Sequence, residues 1–143
     1  MLHVEPKAEL FDGQLKRIYE GEKRLLQLPQ VMGADVILKR YFLSDSTNQQ
    51  PLMKQEADCS VSVIQQPPLD GSKVAVWLYL QKGSKVANVN GVIVAEHNGY
   101  RHLWKMGMHE HKGDSAWQTE SLLISYEETL QSFNATLAGN CIR

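Results

Sequence analysis

Only two cysteines, Cys59 and Cys141, stand among the 143 residues. They are too few and too far apart for a disulfide framework or a paired set of metal-binding thiols. Charge of one sign is missing as well. Fifteen Lys and Arg meet sixteen Asp and Glu, a net charge of -1, so no clustered basic face for nucleic acid is expected. The densest basic runs are Lys16-Arg17 with Lys23-Arg24, and Lys39-Arg40. The first two share a segment with Glu20 and Glu22 and read as a solvated face. No apolar run approaches the ~20 residues that cross a bilayer. The N-terminal MLHVEPKAEL has neither a basic n-region nor an apolar h-region, so no secretory leader is expected and the cytoplasm is the default compartment.

What is present is a hydrophobic content of 43%, enough for one globular α+β domain with a real core. Phe11, Leu15, Ile18, Leu25 and Leu26 form an apolar stripe that predicts a helix over 12–28, stopped by Pro29. ADVILKRYFLS predicts a central strand over 34–44 from its near-continuous apolar content. Residues 45–58 are polar, with a short helix expected around 51–56. Strands follow at 59–66 and 73–81, and Lys82-Gly83-Ser84-Lys85 has the turn chemistry to close a hairpin. A second pair, 86–96 and 100–108, is joined through Asn98-Gly99, the strongest short hairpin signal in the chain.

The segment from Asp114 onward reads as one long helix. Ser115 is placed to cap it, with Gln118 at the third helical position. Leu123, Tyr126, Leu130, Phe133 and Leu137 give it an apolar face, and Gly139 sits where a left-handed cap belongs. Asn134-Ala135-Thr136 matches a glycosylation sequon but falls inside this predicted helix, so it reads as chance. Only Asn140, Cys141, Ile142 and Arg143 follow, an ending that points to a truncated or rearranged unit. The expected architecture is a two-layer sandwich, with two long helices on one face of a mixed sheet of five or six strands.

These residues resemble a known family. LWKMGMHEHKGDSAWQTESLLISYEETLQSFNATLAG is similar to the start of a Rid (reactive intermediate deaminase) domain, also labelled endoribonuclease L-PSP. Residues 104–108, Trp117-Gln118-Thr119 and Leu137-Ala138-Gly139 fill the family's strand end, helix start and helix close. Val36 through Phe42-Leu43-Ser44-Asp45 resembles a later strand of the same domain, and residues 59–80 resemble its closing strand pair. Residues 1–83 thus look like the C-terminal part of one unit and 84–143 like the N-terminal part of the next. The resemblance implies a chorismate-mutase-like fold, assembly as a homotrimer, and a small-molecule ligand in clefts between subunits.

The departures from the family pattern bear on chemistry. Deaminating members hold the substrate carboxylate with an arginine before the penultimate strand, a task suited to a bidentate guanidinium. Asp58 or Cys59 stands at that position here, and the strand over 73–81 lacks the family's water-positioning glutamate. The leading expectation is therefore a diverged member that binds a metabolite without standard imine hydrolysis. The rivals are a deaminase rearranged around Arg40 and Cys59, an endoribonuclease, and a structural half. Arg40 has the alternative reading of a rim residue with a packed stem.

Other groups have bland readings. His109 and His111, with His102 upstream, lack a well-placed third ligand and read as exposed loop histidines. Cys59, flanked by Glu56 and Asp58, reads as a small buried strand residue rather than a nucleophile. Glu120, Glu127 and Glu128 read as a solvated helix face. Trp77, Trp104 and Trp117 suit a cleft, an interface or the core. The polar loop carrying Asn48 follows a central strand, a common place for ligand contacts. The ligand-binding expectation thus rests on Arg40, Asn48, Asp58, Cys59, Trp104 and Gln118, with no cofactor and no metal.

Overall fold

The computed structural model describes residues 1–140, so the reading of Cys141 lies outside the described residues. The chain divides into two compact units, Met1–Gly107 and Met108–Arg143. The first unit carries β1 (Leu2–His3), α1 (Phe11–Leu26), β2 (Ala34–Leu43), α2 (Ser46–Gln49), a 3-10 turn (Gln50–Leu52), β3 (Ser60–Gln65), β4 (Val74–Lys82), β5 (Lys85–Val89), β6 (Val92–His97) and β7 (Tyr100–Trp104). The second carries α3 (Ser115–Gln131) and the short α4 (Leu137–Asn140). The protein is α+β, as the pattern predicts. Among the described residues no helix is long and apolar enough to cross a membrane.

The strands form two sheets rather than the single expected one. Four make a mixed sheet in the order β1-β4-β2-β3, and three make a meander, β5-β6-β7. In the first sheet β2 runs parallel to β3 and antiparallel to β4. The turn at Lys82-Gly83-Ser84-Lys85 is therefore not a hairpin. It carries the chain from one sheet to the other: β4 is paired with β1 and β2, not with β5. β5 pairs instead with β6. The expected single strand over 86–96 is broken by Asn90-Gly91, at φ 53° and 79°. Asn98-Gly99, at φ 50° and 77°, closes the expected hairpin between β6 and β7. Both pairs use the left-handed backbone that Asn and Gly tolerate and tight hairpins require.

α1 buries Phe11, Gln14, Leu15, Ile18 and Glu22, at helical steps of three and four. It packs on the face of the four-stranded sheet that carries Tyr41, Leu43, Val74 and Val76. Two polar residues thus lie in a helix stripe otherwise made of apolar ones. Gln14 is satisfied there, its Oε1 accepting from the Lys73 N–H at 2.7 Å. Ile37 sits at a register shift in β2 and packs against Ile93 and Ala95 of the meander. One strand thereby contributes to both apolar clusters.

In the second unit the cap differs from the expected one. Asp114, not Ser115, is the N-cap, and its carboxylate accepts from the Trp117 N–H at 2.9 Å. An aspartate does this better, because the charged acceptor also meets the helix dipole. α3 ends at Gln131, earlier than expected. Asn134 takes the left-handed conformation at φ 56°, and the Ala135 N–H returns to the Leu130 carbonyl at 3.0 Å. Gly139 lies within α4 rather than at a left-handed cap. The sequon asparagine therefore sits in a turn, not in a helix. Of the expected apolar stripe, Leu130 is buried, Tyr126, Phe133 and Leu137 are half-buried, and Leu123 is exposed.

Candidate site: a lysine–carboxylate cluster beside a cleft

Alternation along β2 sends Lys39 and Tyr41 to the helix face and Arg40 to the opposite one. Lys39 is only 6% exposed. Its ammonium pairs with Glu22 of α1 at 2.6 Å and with Glu56 of the loop before β3. Glu56 also accepts from the Tyr41 hydroxyl at 2.9 Å, and the Cys59 thiol points at it from 3.7 Å. Burial alone would pull the lysine pKa down, but its hydrogen bonds with Glu22 and Glu56 outweigh that and hold it above the ordinary value. The lysine is thus a fixed cation rather than a neutral amine available for nucleophilic attack.

Two neighbours are held in their neutral forms. Burial, then the Glu56 charge, pushes the Tyr41 hydroxyl far above its usual range. The same two causes push the Cys59 thiol up to about 12. Nucleophilic cysteines lie in electropositive surroundings that lower their pKa, and Cys59 has the reverse setting.

Next to this cluster lies an open cleft of about 410 Å³, lined by residues 34–36, Lys39, Glu56, Asp58, Cys59 and residues 86–88. Asn88 closes one side, its Nδ2 donating to the Ala57 carbonyl at 2.6 Å. Asp35, Glu56 and Asp58 are its acidic lining residues. Lys39 is the basic one, and both its carboxylate partners are already in place.

Of the six residues expected to bind ligand, Asp58 and Cys59 meet at this cleft. Arg40 does not line it. Its guanidinium lies 5.7 Å from the centre of the Trp77 ring, on the sheet face away from α1. Asn48 donates through Nδ2 to Asp45 at 2.6 Å and belongs to the cap of α2. That cap, supplied mainly by Asn48, lowers the Asp45 pKa. Trp104 stacks on Tyr79 with ring centres 5.1 Å apart, and its carbonyl accepts from the Ser60 hydroxyl. Gln118 belongs to the second unit, where its Nε2 donates to the Gly113 carbonyl at 3.2 Å. His109 and His111 bring their rings to 4.8 Å. Among the described residues no group of three or more His, Cys, Asp or Glu could hold a metal ion.

Lys39, Glu22 and Tyr41 join the site without standing out in the sequence. Strand alternation gave a usable signal. If Tyr41 and Leu43 are core residues, Lys39 shares their face and needs a buried anion. Glu22 stood four residues after Ile18 on the buried stripe of α1 and offered that partner. No family model matches the sequence, and neither the curated proteins nor the solved structures contain a match to it.

Proposed function

We propose that this chain is a diverged Rid-like protein that binds a small metabolite at a cleft between subunits and lacks standard imine deaminase activity. On this reading residues 1–83 are the back of one chorismate-mutase-like unit and 84–143 the front of the next. The ligand enters the cleft beside Asp58 and Cys59. One observation carries the proposal: the basic residue lining that cleft, Lys39, is already paired with Glu22 and Glu56. A substrate carboxylate would meet Asp58 where the deaminating members present an arginine. A wall of carboxylates suits a ligand that donates hydrogen bonds or carries positive charge. In a trimer, whose contacts are head-to-tail, the sheet face away from α1, with Trp77 and Tyr79 40% and 37% exposed beside Arg40, would meet the cleft side of the next copy.

A deaminase rearranged around Arg40 and Cys59 is less well supported. Arg40 points toward Trp77, while the Cys59 thiol points toward Glu56 on the helix side. The test compares two probes and one reaction. In a titration followed by amide chemical shifts, ethanolamine is expected to move the signals of Asp35, Asp58 and Asn88, and pyruvate to leave them in place. With 2-aminoacrylate generated in situ, hydrolysis is expected at the background rate. Hydrolysis above background that is lost in Arg40→Ala would overturn the reading.

A further inference from the structure

Residues 53–58 cross the molecule between the 3-10 turn and β3 without regular secondary structure. Their attachment is made at a few polar points supplied by three different elements. From α1, the Tyr19 hydroxyl accepts from the Lys54 N–H at 3.3 Å, and the Lys54 ammonium lies 5.3 Å from the Tyr19 ring centre. From β2, Lys39 and Tyr41 both hold the Glu56 carboxylate. From β5, Asn88 holds the Ala57 carbonyl. Lys54, Gln55, Ala57 and Asp58 are exposed, and Met53 adds a partly buried apolar contact with the core. Immediately behind the segment lies Cys59, 7% exposed, its thiol against Glu56.

A segment fixed by few apolar contacts and several polar ones is the kind that opens locally, below the cost of global unfolding. We propose that residues 53–58 form a strap, latched chiefly through Glu56, that opens as a unit, uncovers the Cys59 thiol and withdraws one wall of the cleft. Glu56 and Asp58 leave the cleft together when it opens, because both are carried by the strap. Its partners Lys39, Tyr41, Tyr19 and Asn88 stay behind on helix and strand, so the device has a fixed frame and one moving part. The inference rests on the proposed ligand site only for the consequence of opening. The opening itself has a readout that needs no ligand.

That readout is thiol chemistry. In the closed state the Cys59 thiol is held to about 12, so almost no thiolate is present near neutral pH and labelling reports the open form. The experiment uses the full chain with Cys141→Ser, leaving Cys59 as the single thiol, and follows its reaction with an aromatic disulfide reagent at pH 7.5. The rate is expected to depend far less on low urea than global unfolding does. Glu56→Gln removes the charge from the latch and is expected to raise the rate about ten-fold or more, the size of one lost charge-assisted hydrogen bond. Asn88→Ala removes this latch together with the bond its Oδ1 accepts from the Gly91 N–H in the β5–β6 turn, and is expected to raise the rate several-fold with only a small fall in the urea midpoint of unfolding. Two results would overturn the strap: labelling in every variant with the urea dependence of global unfolding, or rates unchanged by both substitutions. A failed ethanolamine titration alongside accelerated labelling would sink the ligand reading and leave the strap standing.

Discussion

Lys39 and Arg40 are neighbours in the sequence and carry the same charge, yet one strand sends them to opposite fates. On the α1 side, Lys39 is buried with two carboxylates, a phenol and a thiol around it. On the other side, Arg40 lies over Trp77, a ring 40% exposed, in a row with Tyr79. The first face is a closed network in which each polar group needs the others. The second is a more open aromatic surface, on which Arg40 is half-buried, with its Nε enclosed without a hydrogen-bond partner and its guanidinium over the Trp77 ring. A buried charge is costly to separate from its ionic partners, whereas a half-buried one held by a ring contact has less to lose. The two faces should therefore answer substitution very differently.

The largest expected effect is at Lys39. Lys39→Met keeps most of the side-chain volume but leaves Glu22 and Glu56 facing one another without a cation. Breaking one partner of a buried ion pair costs about 3–5 kcal/mol, read as a fall in the urea midpoint. A loss below about 1 kcal/mol would mean that the carboxylates find water or protons readily, and that the helix-side face is less closed than its geometry.

The Cys59 thiol sharpens the contrast through pH. Its folded pKa of about 12 lies above the ordinary thiol value near 8.5. Between those values the native state keeps a proton that the unfolded chain has lost, so stability is intact below about pH 8.5 and declines as pH rises toward the folded pKa. The slope from this one group is roughly 1.4 kcal/mol per pH unit at most. Lys39 also titrates in the alkaline range with a raised pKa, so the measurement is a difference. Urea midpoints taken between pH 8 and 10.5 should fall more steeply with Cys141→Ser alone than with Cys59→Ala added. Equal slopes would mean that the thiol ionises in the folded state as easily as in the unfolded one.

The contrast between the two faces also marks how far the sequence could be read. Periodicity placed α1, β2, β3 and β4 to within two residues at each end, because each alternates or repeats clearly around a buried set. The Asn98-Gly99 turn is legible for a chemical reason, and Asn90-Gly91 carries the same signal inside a run of strand-forming residues. The division into two sheets was not legible. Strand pattern records which face of a strand is apolar, but not which neighbour takes its edge. At the site, Asp58 and Cys59 were legible as neighbours of a strand start. Lys39 was not, because a basic pair on a strand reads as solvent-facing unless alternation is followed through to Tyr41 and Leu43. Its partners come from 17 residues before and after it, at Glu22 and Glu56; periodicity puts Glu22 on a buried stripe, but it does not say which buried anion meets which cation.

The smallest expected effect belongs to Arg40, and its smallness is informative. A cation over a partly exposed ring contributes about 0.5–1 kcal/mol, so Arg40→Ala should lower the urea midpoint only slightly, with a change in Trp77 emission reporting loss of the contact. Trp77→Phe as the background separates that signal from Trp104 and Trp117. If the aromatic face is covered by a second copy of the chain, as the proposed trimer requires, the same substitution acts at an interface. The cost would then shrink on dilution toward that of the lone subunit, because burial of the guanidinium depends on assembly. A small cost that is independent of protein concentration fits a solvent-facing surface and argues against assembly through Trp77 and Tyr79. A cost that falls as the protein is diluted places a subunit contact on this face, with Arg40 in it.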